Sequence, residues 1–313
     1  MPQIATLTLN PAMDLSTAIQ RVEPTHKLRC DHPRYDPGGG GINVARVIGN
    51  LGGKAVAVYP AGGPFGDMLE HILDTLRVKQ SRVPIAGETR ESFTVDERET
   101  GQQYRFVLPG PVLSDEEQAA CLRSLAALDP QPRYLVLSGS FPPGMEQAFL
   151  QQLNTLVRQL NARLVVDCSG DALRAVVQQG HIFMLKPSLS ELASLVGRSL
   201  ETRAAQTAAL NELLARGVAE AIVLSLGEEG AALATTEGVE FFAAPEVPSV
   251  SAVGAGDSMV GATVLALEWG WSLREAVQYG IAAGAATVML PGTELCQRES
   301  VEALFKALNK VNE

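Results

Sequence analysis

Several features that identify common protein classes are scarce or absent in this sequence of 313 residues. It has four cysteines and no Cys-x-x-Cys pair, which argues against a disulfide scaffold and against a zinc or redox centre (Cys30, Cys121, Cys168 and Cys296). No apolar run approaches the roughly 18 residues of a membrane span, and no basic segment followed by an apolar stretch opens the chain. We therefore expect a cytoplasmic protein that is neither exported nor bound to a membrane.

Basic residues are in the minority, since 25 Lys and Arg stand against 35 Asp and Glu and the formal net charge is −10. This balance argues against nucleic acid as a partner, because few cations are available to neutralise phosphates. The phosphate loop ending in Gly-Lys and the G-x-G-x-x-G fingerprint are both missing. There is also no H-E-x-x-H and no acidic cluster with metal-cage spacing. Any Mg²⁺ would arrive with a nucleotide and be held through water and one or two carboxylates.

What the chain does contain is typical of an α/β protein. Hydrophobic residues make up 46% and charged residues 19% of a chain long enough for a large core. Strands are predicted at 4–9 and 55–59, and beyond residue 109 short apolar strands alternate with helices. This order predicts a doubly wound, mostly parallel sheet with helices on both faces. Small polar segments follow several strands, at the edge where such sheets bind ligands (10–14, 138–140, 167–169, 186–188 and 225–227).

Two segments depart from this pattern and predict a small separate sheet. Residues 16–35 are polar and basic, although a charged run alone is typical of a solvated face. Residues 89–107 alternate like partly exposed strands, with a hairpin signal at 99–101. A sheet of this kind exposes an apolar face that needs cover. We expect a single domain over 1–313 with an inserted sheet, from about 16–35 and 89–107, that acts as a lid, a dimer contact or both.

Four consecutive glycines, Gly38 to Gly41, precede a predicted helix over 42–51 that carries Asn43 in its first turn. A run of glycines costs backbone entropy, so something must require a bare backbone at this point. A flexible hinge is one interpretation. We favour the other, a loop that cradles a substrate and continues directly into a helix.

A second glycine turn, Gly254 to Asp257, precedes an apolar stretch over 259–269 that predicts a buried helix. The turn directs free backbone N–H groups and the positive end of the helix dipole at one point, which suits a phosphate. The local sequence leaves two interpretations of Asp257 open. In one, the carboxylate removes a proton from a substrate hydroxyl while the N–H groups hold a transferred phosphoryl group. In the other, it caps the helix.

The two glycine segments together resemble the two signatures of the PfkB (ribokinase-like) carbohydrate kinases. The resemblance rests on Gly38 to Asn43 followed by Ala45, and on Gly254 to Asp257. Further short motifs of that family have counterparts along almost the whole chain (8–11 with Asp14, 138–140, 186–187, 225–227 and 292–293). Four segments are similar to the family members that phosphorylate fructose 6-phosphate (27–30, 38–46, 103–107 and 295–296).

The resemblance implies ATP-dependent phosphorylation of the C1 hydroxyl of fructose 6-phosphate, giving fructose 1,6-bisphosphate, by a homodimer that pairs through its lid sheet. Asp257 would be the general base, and the N–H groups of Gly254, Ala255, Gly256 and Asp257 would form the anion hole. The sugar phosphate would be bound mainly from the first third of the chain (Asp14, Lys27, Arg29, Gly39, Gly40, Asn43, Arg90 and Ser140). ATP would lie against residues of the second half (Lys186, Ser188, Ser225, Gly227, Gly230 and Val253). Glu191 would hold Mg²⁺ through water.

Two positions depart from the family pattern. Ser188 stands where the family usually has asparagine in Asn-x-x-Glu, and Ala252 stands where close relatives carry threonine. The Ser188 hydroxyl is shorter than an amide and would reach the nucleotide or Mg²⁺ only through water, and Ala252 removes a possible hydroxyl contact near the phosphates, whereas Asp257 is kept. Two alternatives are therefore retained: a kinase of the same family that acts on fructose 1-phosphate or tagatose 6-phosphate, and, in another class, a non-catalytic sensor of sugar phosphates.

Overall fold

The computed structural model describes residues 3–145 and 147–311, so the predicted domain limits at 1 and 313 lie outside the described residues. The strands are β1 Ile4–Leu7, β2 Ala12–Ile19, β3 Arg34–Gly38, β4 Ala55–Ala61, β5 Lys79–Pro84, β6 Arg90–Glu97, β7 Gln103–Val107, β8 Tyr134–Ser138, β9 Arg163–Asp167, β10 Ile182–Leu185, β11 Ala219–Ser225, β12 Ala231–Thr235 and β13 Gly238–Phe242. The helices are α1 Gly40–Asn50, α2 Gly63–Thr75, α3 Asp115–Ala126, α4 Gln147–Gln159, α5 Gly170–Gln179, α6 Leu189–Val196, α7 Arg203–Ala215, α8 Ala255–Glu268, α9 Leu273–Val288 and α10 Arg298–Val311.

A nine-stranded sheet forms the centre, in the order β13-β12-β11-β10-β9-β8-β1-β4-β5. Its strands are parallel except at one edge, where β12 and β13 run antiparallel to their neighbours. β1 pairs in parallel with β4 on one side and with β8 on the other, in the register Ile4 to Ala55 and Ile4 to Tyr134. The chain thus winds outward from β1 in both directions, as the sequence predicted.

Helices cover both faces of this sheet because its strands are apolar on both sides. On one face α1, α8 and α9 pack in a core that includes Ile42, Val264 and Ala282. On the other face α3, α4 and α7 pack in a second core that includes Leu125, Leu153 and Leu210. No helix in the described part of the chain is long and apolar enough to cross a membrane.

The predicted small sheet is present and has four strands in the order β3-β2-β6-β7. It begins earlier than expected, since β2 starts at Ala12 and β3 ends at Gly38, directly before α1. Residues 20–33 between these strands contain no strand. The small sheet is therefore continuous with the end of β1 and with the glycine run, and it forms a wall beside the edge of the large sheet.

Three strands of the large sheet were not predicted. β5 has the sequence Lys-Gln-Ser-Arg-Val-Pro and lies at the sheet edge, where polar side chains are tolerated and the alternation of apolar residues is lost. β12 and β13 form a short hairpin after a 3-10 turn at Gly227–Glu229. β5 and β13 are edge strands, where burial imposes no clear hydrophobic pattern on the sequence, whereas β12 is buried but consists of only five residues.

Candidate active site

The two glycine segments meet in a cleft at the carboxyl end of β1, where the strand order reverses. Open α/β sheets bind ligands at such a point. Gly40 begins α1 there, and a Cβ on Gly40 would lie 2.2 Å from Ser138 Oγ and 3.1 Å from Asp257 Oδ1. Close packing therefore requires glycine at this position, and no hinge is needed to explain it. Gly39, whose φ is 115°, precedes α1 as its N-cap.

Asp257 is the third residue of α8 and does not cap this helix, so the capping interpretation is wrong. The N-cap is Gly254, which has a φ of 77° and makes no side-chain hydrogen bond to the helix. A Cβ at Gly254 would lie 2.7 Å from Leu295 Cδ2, so both the backbone and the available space require glycine. The Asp257 carboxylate points instead toward α1.

The first turn of α8 keeps backbone donors free. The Ser258 N–H donates to the Gly254 carbonyl at 2.8 Å, and the Ala255 N–H makes a longer contact of 3.4 Å with the Ala252 carbonyl. Within residues 3–145 and 147–311, no acceptor takes the N–H groups of Gly256 and Asp257. Free N–H groups at the positive end of a helix dipole favour an anion. The turn therefore has the donors that the predicted anion hole needs.

A chain of hydrogen bonds orients the Asp257 carboxylate. Asn43 Nδ2 donates to Asp257 Oδ2 at 3.0 Å, and Arg46 Nη1 donates to Asn43 Oδ1 at 3.0 Å. The same Arg46 nitrogen donates to the Pro37 carbonyl at 3.1 Å. Because Arg46 occupies the amide oxygen, the amide NH₂ group must face the carboxylate. The sequence indicated Asn43, but it assigned no role to Arg46 one helical turn later.

The surroundings of Asp257 bring its titration close to neutral pH. Burial, followed by the nearby Asp167 carboxylate, raises the pKa of Asp257 to about 7, against lowering contributions from Asn43, Lys186 and Ser138. A pKa near neutrality suits a general base, because the group can both accept and release a proton at that pH. The carboxylate can thus take a proton from a hydroxyl held beside it.

Lys186 forms a buried ion pair with Asp167, in which Nζ lies 3.0 Å from Oδ1. Burial lowers the pKa of the Lys186 ammonium, but Asp167 more than offsets this, so the pKa is raised and the group is charged. A Cβ on Gly256 would lie 3.4 Å from Nζ, which places the charge beside the first turn of α8. The sequence contains no separate signal for Asp167, which lies in the polar segment predicted at the end of this strand.

The small sheet contributes the opposite wall of the cleft, with Asp14 on β2 and Arg90 on β6. The register pairs Ala12 with Arg90 and Asp14 with Ser92, so Asp14 and Arg90 lie on the same face. Burial raises the pKa of Asp14 to about 6, although Arg90 and Arg105 lower it. Two carbonyls fix the Arg90 guanidinium, those of Asn10 and Leu108, each at 3.1 Å.

Four of the predicted residues lie at the rim of the cleft or outside it. Lys27 and Arg29 are exposed on the loop between β2 and β3. Within the described part of the chain, neither makes a hydrogen bond or an ion pair with the wall that carries Asp14. Ser140 is exposed and accepts a hydrogen bond from Asn10 Nδ2 at 3.2 Å. Val253 is partly exposed in the turn before α8.

The predicted nucleotide residues converge beyond the carboxyl ends of β10 and β11. Ser188 and Ser225 form an isolated parallel bridge. Gly227 begins the 3-10 turn with a φ of 61°, and Gly230 follows it with a φ of 103°. A Cβ on Gly230 would lie 2.0 Å from the Phe242 carbonyl oxygen, so close packing already requires this glycine.

Ser188 and Glu191 together cap α6. Ser188 Oγ accepts the Glu191 N–H at 3.3 Å, and Glu191 Oε2 accepts the Ser188 N–H at 2.7 Å. Serine and asparagine are both good N-cap residues, so the departure from Asn-x-x-Glu preserves the start of this helix. In the described residues, no group of three or more His, Cys, Asp or Glu side chains is arranged to hold a metal ion.

A base beside an anion site at the end of an α/β sheet is the arrangement of a phosphoryl-transfer enzyme. The sequence profile of the pfkB family carbohydrate kinases matches residues 7–300, and the chain belongs to this family. The resemblance found in the two glycine segments is thereby confirmed.

Relatives within the family differ in their similarity to this chain. ATP-dependent 6-phosphofructokinase isozyme 2 of Mycobacterium tuberculosis (strain ATCC 25618 / H37Rv) is 47% identical over 97% of this chain and 89% of that protein. The structure of Escherichia coli phosphofructokinase-2 in complex with fructose-6-phosphate has a TM-score of 0.91 and 38% identity, and the match covers 99% of this chain and 100% of that one. A 1-phosphofructokinase of Xanthomonas campestris pv. campestris is 31% identical over 96% of this chain and 92% of that protein.

Proposed function

We propose that the protein is an ATP-dependent 6-phosphofructokinase that phosphorylates the C1 hydroxyl of fructose 6-phosphate. The observation that carries this proposal is Asp257, a carboxyl group whose pKa is raised by burial to about 7 and which lies on a helix turn with free N–H groups. Phosphoryl transfer to a hydroxyl needs a base and an anion site side by side. The choice of sugar is supported by the relatives named 6-phosphofructokinase and phosphofructokinase-2, at 47% and 38% identity, against 31% for the 1-phosphofructokinase.

The reaction is a single displacement at the γ-phosphorus of ATP. Asp257 takes the proton of the C1 hydroxyl while the C1 oxygen bonds to phosphorus, and the bond from phosphorus to the bridging oxygen breaks. The electron pair of that bond leaves with ADP. The N–H groups of Gly256 and Asp257 donate hydrogen bonds to the oxygens of the transferred group and stabilise its charge. The products are fructose 1,6-bisphosphate and ADP, with the proton held first by Asp257.

The nucleotide side of the cleft combines one buried cation with two carboxylates. The charged Lys186 ammonium lies beside the first turn of α8, and this position supports a contact with the ATP phosphates. The Glu191 carboxylate is close enough to raise the pKa of Asp167. These two carboxylates would hold Mg²⁺ through water, and Mg²⁺ would neutralise charge on the ATP phosphates. The remaining nucleotide contacts come from Ser188, Ser225, Gly227, Gly230 and Val253.

The small sheet and its loop bind the sugar phosphate. Arg90 is held in place by backbone carbonyls, so little side-chain entropy is lost when it binds the 6-phosphate. The exposed loop between β2 and β3 supplies Lys27 and Arg29 as further cations. Asp14 and Asn43 hydrogen-bond the sugar hydroxyls, beside the backbone of Gly39 and Gly40 and the hydroxyl of Ser140.

The chain pairs with a second copy through the small sheet. Phe93 and Phe106 stack with ring centroids 4.6 Å apart and remain 36% and 46% exposed. An apolar sheet face of this kind needs cover. In sedimentation velocity the wild type should run as a dimer and the double variant Phe93→Ser/Phe106→Ser as a monomer, and an unchanged mass would exclude this interface.

The four free cysteines agree with a cytoplasmic location.

Substrate choice is tested with a coupled ADP-release assay in Mg-ATP, run in parallel on fructose 6-phosphate, fructose 1-phosphate and tagatose 6-phosphate. We expect kcat/KM to be highest on fructose 6-phosphate by at least about tenfold. The Asp257→Asn variant, which keeps the size of the side chain, is the matched control for contaminating kinase activity. Higher turnover on another sugar would contradict the choice of substrate. Sugar phosphate binding without turnover on any of the three would contradict the kinase itself and favour a sensor.

A further inference from the structure

A second cleft runs along α1 and is lined by an unusual number of basic side chains. It has a volume of about 550 Å³ and lies between α1, the end of α2, the starts of β4 and β5, and residues 294–297. This volume lies in the range of small-molecule sites. We call it the basic groove, after its cations Arg34, Arg46, Lys54, Arg77 and Lys79. Among the described residues, Glu294 is the one carboxylate of its lining, and Arg34 also pairs with Asp36 at 2.8 Å. Such a concentration of positive charge contrasts with the net charge of −10 of the whole chain.

Strand register brings three of these cations to one edge of the large sheet. β4 and β5 run parallel with Val56 opposite Lys79. Lys54 directly precedes β4 and Arg77 lies two residues before β5, so both line the same groove as Lys79 at this edge of the sheet. Like charges that line one groove repel each other, and an anion bound among them would relieve this repulsion.

The protein does not supply that anion. Lys54, Arg77 and Lys79 are exposed, and none of them makes an ion pair with any residue that the structure describes. Glu294, the carboxylate of the groove, is already bonded to Arg34 at 2.7 Å. By contrast, some other exposed arginines have a carboxylate partner, such as Arg198, which forms an ion pair with Glu212 at 2.8 Å.

Arg77 occupies a position after the end of α2 that many helices give to glycine. Arg77 follows the end of α2 with a φ of 59°, and its N–H bonds to the Asp74 carbonyl at 2.9 Å. Helices commonly end on glycine in this left-handed conformation, because a side chain there costs free energy. The arginine is thus held in a strained conformation, and its guanidinium adds to the charge of the groove.

We propose that the basic groove binds a small phosphorylated anion, whose phosphate lies at Lys54, Arg77 and Lys79. The planar guanidinium of Arg77 can donate two parallel hydrogen bonds to a phosphate, and the two ammonium groups add charge. Apolar side chains in the lining offer contact to the rest of the molecule (Leu76, Val78 and Leu295). Lys54, Arg77 and Lys79 lie outside the proposed ATP and sugar contacts, whereas Arg46 borders both the groove and the hydrogen-bond chain to Asp257. The proposal does not depend on the proposed function.

The test is isothermal titration of inorganic pyrophosphate into three proteins at low ionic strength. They are the wild type, the groove variant Arg77→Ser/Lys79→Gln, and the control Arg158→Gln/Arg216→Gln, which removes two exposed cations elsewhere. Any pyrophosphate bound at the catalytic centre is common to all three, so their difference reports the groove. We expect wild type and control to agree, and the groove variant to bind one pyrophosphate per chain at least about tenfold more weakly.

Identical isotherms for the three proteins would overturn the proposal. A lower Tm of the groove variant with unchanged pyrophosphate binding would overturn it as well, because the cations would then serve only to offset the negative ends of α1 and α2. The titration requires no turnover, so its result stays distinct from success or failure of the kinase assay.

Discussion

Each wall of the cleft carries a carboxyl group with a raised pKa, and comparing the two groups indicates what separates a proposed base from a proposed binding group. Burial raises the pKa of both, to about 7 for Asp257 and about 6 for Asp14. Asp257 lies on a helix of the large core, beside free N–H groups and an ion-paired lysine. Asp14 lies on the small sheet and faces Arg90 and Arg105. The raised pKa is common to both, so the roles proposed for them rest on the neighbouring donors and cations.

The largest effect should come from the Asp257 wall. Asp257→Ala removes the base, and we expect kcat to fall by at least about 10² and up to about 10⁴, since that is the usual contribution of general-base catalysis. The KM for fructose 6-phosphate should change much less. Steady-state kinetics and circular dichroism on the same preparation separate lost chemistry from lost folding. A folded variant with near-normal kcat would contradict the assignment of Asp257 as the general base.

A smaller effect, of a different kind, should come from the wall of the small sheet. Arg90→Ala removes a charged donor to the 6-phosphate, so the KM for fructose 6-phosphate should rise roughly 10- to 100-fold while kcat changes little. Arg98→Ala is the matched control, because Arg98 lies next to the end of β6 but pairs with Asp31. An unchanged sugar KM in Arg90→Ala would remove this residue from the phosphate site.

The hydrogen-bond chain from Arg46 through Asn43 to Asp257 can be tested by its effect on the pH dependence of kcat. Arg46 is a cation near Asp257, so Arg46→Gln should raise the pKa of Asp257. The acid limb of the kcat profile should then move to higher pH, by up to about one unit. Arg46→Lys keeps the positive charge but loses the planar guanidinium. The acid limb of its kcat profile should therefore stay near that of the wild type, while kcat itself falls. An acid limb that does not move in Arg46→Gln would contradict this role.

The smallest effect concerns stability. The folded-state pKa of Asp257 is about 7, above its ordinary value of 3.8, so folding disfavours the charged form. The resulting loss of stability is absent below about pH 3.8, grows as the pH rises, and is complete above pH 7. Asp257→Asn should therefore raise Tm at pH 8, by roughly 2–5 °C, and by less at pH 5. An equal shift at both pH values, measured by calorimetry, would show that burial of the charge is not its cause.

The starts of two helices could be predicted from the glycines in the local sequence. The turn at Gly254 and the run ending in Gly41 could be recognised as helix starts with bare backbone, and the alternation of strands and helices predicted the large sheet. Contacts between distant segments could not be predicted in the same way. Asn43 and Asp257 are 214 residues apart, and the pairing of Lys186 with Asp167 depends on β9 and β10 being neighbours. Edge strands such as β5 lack the burial that imposes a pattern on sequence.

The most direct test of the account is the fate of the phosphoryl group in a reaction of the purified protein with fructose 6-phosphate and Mg-ATP, followed by ³¹P NMR. If Asp257 directs the C1 oxygen at the γ-phosphorus, ADP and the C1 phosphate of fructose 1,6-bisphosphate should appear together in equal amounts. Formation of ADP with inorganic phosphate, or with a phosphate at another carbon of the sugar, would contradict the arrangement of base and anion hole described for this cleft.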